Sequence, residues 1–192
     1  MRPLPPSTMS CGSPLSVLRE PSLLMWPHVA LYGLVGPDGT MKITHRPATL
    51  EDANRLFELR RHSIIALAAR AMSMANAKSW AVGLTRAGMQ QKLRDLEVWV
   101  AEAEGAIAGW GAIRGDRLEG LYTDPRFAGR GIGTDLLRLL EARTRERGIR
   151  VLHAQASANA LHFYLRGGYE LCGQQTPDGA QSIAKRLHSS DP

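Results

Sequence analysis

Cysteine is nearly absent from this 192-residue chain. Cys11 and Cys172 are the only two, far apart and with no C-x-x-C spacing. That excludes a disulfide framework and the usual zinc spacings, and no metal site is expected. Aromatic residues make up only 6%, and nowhere do they interleave with basic residues as they would on a nucleic-acid-binding surface. No apolar run is long enough to span a bilayer. The best candidate, "LLMWPHVALYGLVG", is broken by Pro27 and His28, and it lacks the charged start and small-residue cleavage site of a secretory signal. There is no internal repeat. A globular protein of the reducing cytoplasm is the expectation, with no membrane partner and no nucleic acid.

Positive charge is in excess, at +6 with a pI near 9.8. A solvated basic face accounts for this, and so does a polyphosphorylated ligand. The first 40 residues hold two basic side chains (Arg2, Arg19) and two acidic ones (Glu20, Asp38), so the excess lies beyond them. That opening, "MRPLPPSTMSCGSP", is rich in Pro and Ser, whereas Met41 begins "MKITHRPAT", which reads as a fresh start with a first strand. Residues 1–40 are therefore expected to be a dispensable extension and residues 41–192 the working domain. The competing reading is a hairpin of "HVALYGLV" and "MKITHRPA" turning through "GPDG".

Past the strand near Lys42 to Arg46, Thr49 and Asp52 have capping-box spacing ahead of a helix bearing Leu50, Ala53, Leu56 and Phe57. A looser helical region from Ser63 to Leu93 is expected to break near Gly83 and Gly88. Strands follow near 97–103 and 106–113, with a turn at Glu104-Gly105, and then "RLEGLYT". A helix opening near Thr134 shows Ile132, Leu136, Leu139 and Leu140 on one face and closes at Gly148. "RVLHAQAS" is a strand, "NALHFYLR" a short helix stopped by Gly167-Gly168, and "YELCGQ" and "SIAKRL" are final strands.

"DPRFAGRGIGTDLL" places Gly129, Gly131 and Gly133 directly before that helix. A helix N-terminus exposes unpaired N–H groups and partial positive charge, so a glycine-rich entry can cradle a phosphate. A P-loop is excluded because no lysine follows the glycines. The G-x-G-x-G spacing is not the dinucleotide fingerprint either. A tight strand-to-helix turn without ligand is the plainer alternative.

The stretch resembles the coenzyme A-binding signature of the GNAT superfamily of acetyl-CoA-dependent N-acetyltransferases, Q/R-x-x-G-x-G/A. Arg126 to Gly131 matches it literally. The register from Ala128 to Gly133 sets the last glycine against the helix and puts Ala128 where Gln or Arg is usual. "ASANALHFYLRGGYE" resembles the family's second signature, one helix and one strand further on, and the likeness covers about residues 41 to 188. It implies a single α/β domain with a mixed, mostly antiparallel sheet flanked by helices, acetyl-CoA as co-substrate, and acetyl transfer to a small-molecule or peptide amine. A homodimer is possible. A non-catalytic acyl-CoA sensor on the same fold is the alternative.

By the same resemblance, the backbones of Leu121, Tyr122 and Thr123 face the pantetheine arm. The amides of Gly129, Arg130, Gly131, Ile132, Gly133 and Thr134 hold the pyrophosphate. Asn159, otherwise a helix N-cap, contacts the pantetheine. Phe163 packs, and the Tyr164 hydroxyl lies near the cofactor sulfur as proton donor. Glu119 is the candidate base, two residues from Leu121 and so expected on the same strand face; a salt-bridged strand glutamate is the alternative. His62 and His153 have no motif behind them. Cys172 is expected to be a small core residue rather than a nucleophile.

Overall fold

The computed structural model describes residues 41–67, 73–176 and 179–188. The proposed hairpin with "HVALYGLV" falls outside the described residues. A seven-stranded sheet runs β1 (Ile43–Pro47), β2 (Glu97–Ala103), β3 (Ala106–Arg114), β4 (Arg117–Thr123), β5 (Val151–Ala156), β6 (Glu170–Gln175) and β7 (Gln181–Arg186). Its spatial order is β1-β2-β3-β4-β5-β7-β6. Every neighbouring pair is antiparallel except β4 and β5.

Among the described residues five α-helices flank it: α1 (Ala53–Leu67), α2 (Met74–Val82), α3 (Arg86–Asp95), α4 (Ile132–Glu146) and α5 (Leu161–Arg166). The expected break at Gly83 exists, but Gly88 does not break anything. It lies in the first turn of α3, where its N–H donates to the hydroxyl of the N-cap Thr85. Ser73 caps α2 the same way, accepting from the Asn76 N–H. Hydroxyl residues thus cap two helix starts, and at Thr85 the cap draws Gly88, an expected break, into the first turn of α3. The Asp52 carboxylate accepts from the Thr49 N–H at 2.8 Å, fulfilling one arm of the expected box.

Two cores sandwich the sheet. On one side Leu56, Leu59 and Met89 from α1 and α3 meet Val98, Val100 and Trp110. On the other, the apolar stripe of α4 packs Leu136, Leu137 and Leu140 onto the strands. The seating of α4 is tight because β3 carries glycine beneath it. A Cβ at Gly109 would lie 2.8 Å from an Ile132 methyl, and one at Gly111 would lie 2.6 Å from a Leu140 methyl. Those glycines bring the start of α4 down onto the sheet.

Candidate active site

The parallel pairing of β4 with β5 is short. It registers only Arg117 with His153 and Leu118 with Ala154. Beyond Leu118 the strands diverge, and a cavity of about 870 Å³ opens, bordered by β4, β5, α2 and α5. A smaller one of about 480 Å³ shares Leu121, Tyr122 and Tyr164 with it and extends to Thr123, Gly133 and Asn159. Together they form a path from the N-terminus of α4 along the exposed edge of β4.

That edge carries backbone donors. The Asp124 N–H goes to Ala108 O on β3, and Tyr122 is registered opposite Trp110. In an antiparallel pair the bonding direction alternates, so Leu121 and Thr123 turn their backbone groups away from β3, into the gap left by β5.

At the path's far end, Gly131 is the N-cap of α4, at φ 88°, with no side chain closing the helix end. Gly129 is also left-handed, at φ 78°. An ideal Cβ on either meets nothing within 4 Å, so left-handed backbone rather than crowding requires glycine there. The helix therefore begins two residues earlier than Thr134, with Gly131 as its cap and Gly133 inside the first turn. The first N–H groups of such a helix have no internal partner, so Ile132, Gly133 and Thr134 fit an anionic group. Arg130 departs from expectation. Its amide donates to Phe127 O at 3.3 Å. Its guanidinium lies 3.6 Å from Glu104 and over the Phe127 ring.

Asn159 does not cap α5. The helix starts at Leu161 after Ala160, and Asn159 Oδ1 instead accepts from the Ser157 hydroxyl at 2.9 Å. The chain turns on Ser157 O, which receives the Ala160 and Leu161 amides. Within the aromatic pair, Tyr164 is the buried member, 6% exposed. Phe163 is partly buried and lies 3.7 Å from an ideal Cβ on Gly133. Tyr164 nonetheless borders both cavities, edge-on to Phe163 and Tyr169. Burial, followed by the nearby Tyr122, pushes its phenol well above the ordinary range, so it holds its proton.

Glu119 borders the larger cavity and accepts from Arg114 at 2.9 Å. The register slips here: Ala112 faces Gly120 while Ile113 faces Leu118, which leaves Glu119 as the extra residue of a bulge. Simple alternation does not run through this point, so the shared strand face with Leu121 does not follow. Leu121 packs towards α4, whereas a Cβ on Gly120 would meet Tyr122 and Trp110 on the opposite side. His153 lies on β5 beside Arg117, His62 on α1, and Cys172 is exposed on β6 rather than in the core. Neither histidine borders either cavity.

Two features escape the sequence reading. Asp124, 4% exposed, receives the Arg126 guanidinium and amide and also Arg55 from α1. Burial raises its carboxyl, but the Arg126 hydrogen bonds and then Arg55 win and bring it to about 2. Arg60, 7% exposed, donates to the carbonyls of Trp80 and Ala81 at the end of α2, each at 3.2 Å. An Asp-Pro ahead of a glycine turn hints at the first; nothing hints at the second.

A family model described as acetyltransferase (GNAT) domain matches residues 68–180, more than half of the chain. The chain belongs to the GNAT acetyltransferase family. A GCN5-related N-acetyltransferase from Rhodopseudomonas palustris is 27% identical with a TM-score of 0.70, over 77% of this chain and 96% of that one. The PaiA N-acetyltransferase of Thermoplasma acidophilum, solved with coenzyme A, is 22% identical with a TM-score of 0.66, covering 76% and 99%. A putative acetyltransferase from Salmonella typhimurium, solved with its cofactor acetyl-CoA, is 20% identical with a TM-score of 0.55, covering 79% and 97%. The last two show the shared fold. No curated protein matches the chain. No helix among the described residues is long and apolar enough to cross a membrane.

Proposed function

We propose that this protein moves an acetyl group from acetyl-CoA directly to an amine, with both substrates bound at once. The observation that carries the reading is the gap between β4 and β5, with an uncapped helix N-terminus at one end and the Tyr164 phenol at its side. The amides of Ile132, Gly133 and Thr134 receive the pyrophosphate, and the backbone edges of Leu121 and Thr123 line the pantetheine, with Asn159 across the smaller cavity; the Tyr122 backbone, bonded toward β3, does not take part. Bound acetyl-CoA supplies an activated thioester to the amine.

An N–H turned into the gap, such as that of Leu121, can stabilise the oxyanion formed on attack. The Tyr164 hydroxyl, kept protonated by burial, donates to the departing thiolate. Glu119 takes the proton of the attacking amine across the larger cavity, while Arg114 holds its Oε1. No covalent enzyme intermediate is required, and Cys172 plays no part.

The test is release of free thiol from acetyl-CoA with an amine panel, read together with the mass gain of the acceptor. Thiol release that depends on an added amine supports transfer. Tight acetyl-CoA binding with no turnover across the panel would replace this reading with an acyl-CoA sensor.

A further inference from the structure

The larger cavity has an uneven charge. Glu119 is the one carboxylate bordering it among the described residues, and that carboxylate is taken by Arg114. Arg117 also borders it. Arg114 and Arg117 are register partners at the end of the β3–β4 hairpin, yet only Arg114 has an acidic partner among the described residues. A second cation stands behind the aromatic wall. The buried Arg60 guanidinium lies 5.7 Å from the centre of the Tyr122 ring and 6.0 Å from that of Trp80. Its hydrogen bonds go to two neutral carbonyls, and no carboxylate among the described residues pairs with it. Tyr122 and Trp80 both line the cavity.

From this we infer that the acceptor is an amine that also carries a carboxylate, and that Arg117 receives that carboxylate. The inference deepens the transferase reading and rests on it for which cavity holds the acceptor. A guanidinium with no acidic partner among the described residues suits a carboxylate because its paired N–H groups match the two oxygens. The Arg60 charge behind the rings adds to the field in a cavity with low-dielectric walls. The same field opposes polyamines and other polycations. Trp80 and Tyr122 give the middle of the acceptor an apolar surface. Arg117 and Leu121 are four positions apart on β4, at most about 13 Å at about 3.3 Å per residue and less across the bulge at Glu119, so the length of the acceptor between amine and carboxylate is itself selected.

The experiment titrates the full-length protein, saturated with coenzyme A, with paired ligands. Phenylalanine and straight-chain ω-amino acids of graded length are each compared with the primary amide. A further arm compares C-terminally amidated peptides that differ only by Glu against Gln near the N-terminus. That arm separates a free acid from an acidic peptide. The expected result is at least tenfold tighter binding of the carboxylate member in one series. In Arg117→Gln the preference should shrink to within about twofold, with Arg117→Lys recovering part of it and coenzyme A affinity unchanged in both. Equal or absent binding of both members by the wild type overturns the inference, as does a preference that survives Arg117→Gln. Selective binding without acetyl transfer would leave the inference standing and remove the transferase reading. Transfer to amines regardless of a carboxylate would do the reverse.

Discussion

Replacing Gly131 with Glu separates what the glycine turn does for folding from what it does for binding. Gly131 sits at φ 88° as N-cap of α4, and a Cβ there meets nothing within 4 Å. The folded state therefore loses only the cost of a left-handed L-residue, about 1–2 kcal/mol. A carboxylate at a helix N-terminus returns about 0.3–1 kcal/mol through the dipole. The net loss is about 1 kcal/mol, or a few degrees in Tm for a domain of this size. Binding responds differently. A new negative charge about 5 Å from a bound phosphate charge is repelled by roughly 3 kcal/mol at an effective dielectric near 20. Salt reduces this, so the floor is set at about 1.4 kcal/mol, a tenfold loss of affinity. Thermal unfolding and calorimetric titration with acetyl-CoA read the two effects apart. A folded variant with wild-type affinity would refute the phosphate cradle at α4.

Tyr164→Phe should lower kcat by about 10²-fold while leaving acetyl-CoA affinity unchanged, because the hydroxyl acts as negative charge builds on sulfur; wild-type kcat on a true acceptor would leave solvent as the proton source. Asp124, held near pH 2 by Arg126 and Arg55 against burial, has a folded value below its unfolded one. Its stabilisation is therefore complete above about pH 4 and is lost as pH falls from there towards 2, about 2 kcal/mol in all; acid titration of Asp124→Asn should lack that component, and an unaltered acid transition would count against it. Leu56, fully buried against Trp110 and Met89, should lose about 2–5 kcal/mol on truncation to Ala, read by denaturant midpoint. A chain beginning at Met41 retains β1 and should unfold and bind acetyl-CoA like the full chain; a clear fall in Tm would show that residues before Met41 contribute.

Strand positions were legible because period and punctuation agree. "EVWVAEA" and "AIAGWGAIR" meet at Glu104-Gly105, and both turn residues take positive φ, at 53° and 73°, as a two-residue hairpin turn demands. The amphipathic face of α4 and its Gly148 stop were equally local. Helix starts were less so. Glycine was sound punctuation at Gly83, which ends α2, but at Gly88 the Thr85 capping bond three residues back carries the helix through it. At Asn159 a good capping residue was present, but Ser157 captures its side chain and the helix starts past it.

What no local pattern could reveal is what holds the site open. Arg55 and Asp124 stand 69 positions apart, and their pairing ties α1 to the turn that delivers the glycines to the head of α4. Arg55 also donates to Ile107 O on β3, so one guanidinium fastens helix, sheet and turn together. Arg60 does the same for α2, whose carbonyl end it holds beside Tyr122. In sequence these are two arginines on one amphipathic helix, indistinguishable from Arg61, which pairs with Glu58 a turn away. In the fold, each faces a segment that borders the gap between β4 and β5. Packing alone leaves such segments free to close a cavity. Directional bonds from buried or half-buried cations tie them to α1 instead, on the flank where the strands part after Leu118.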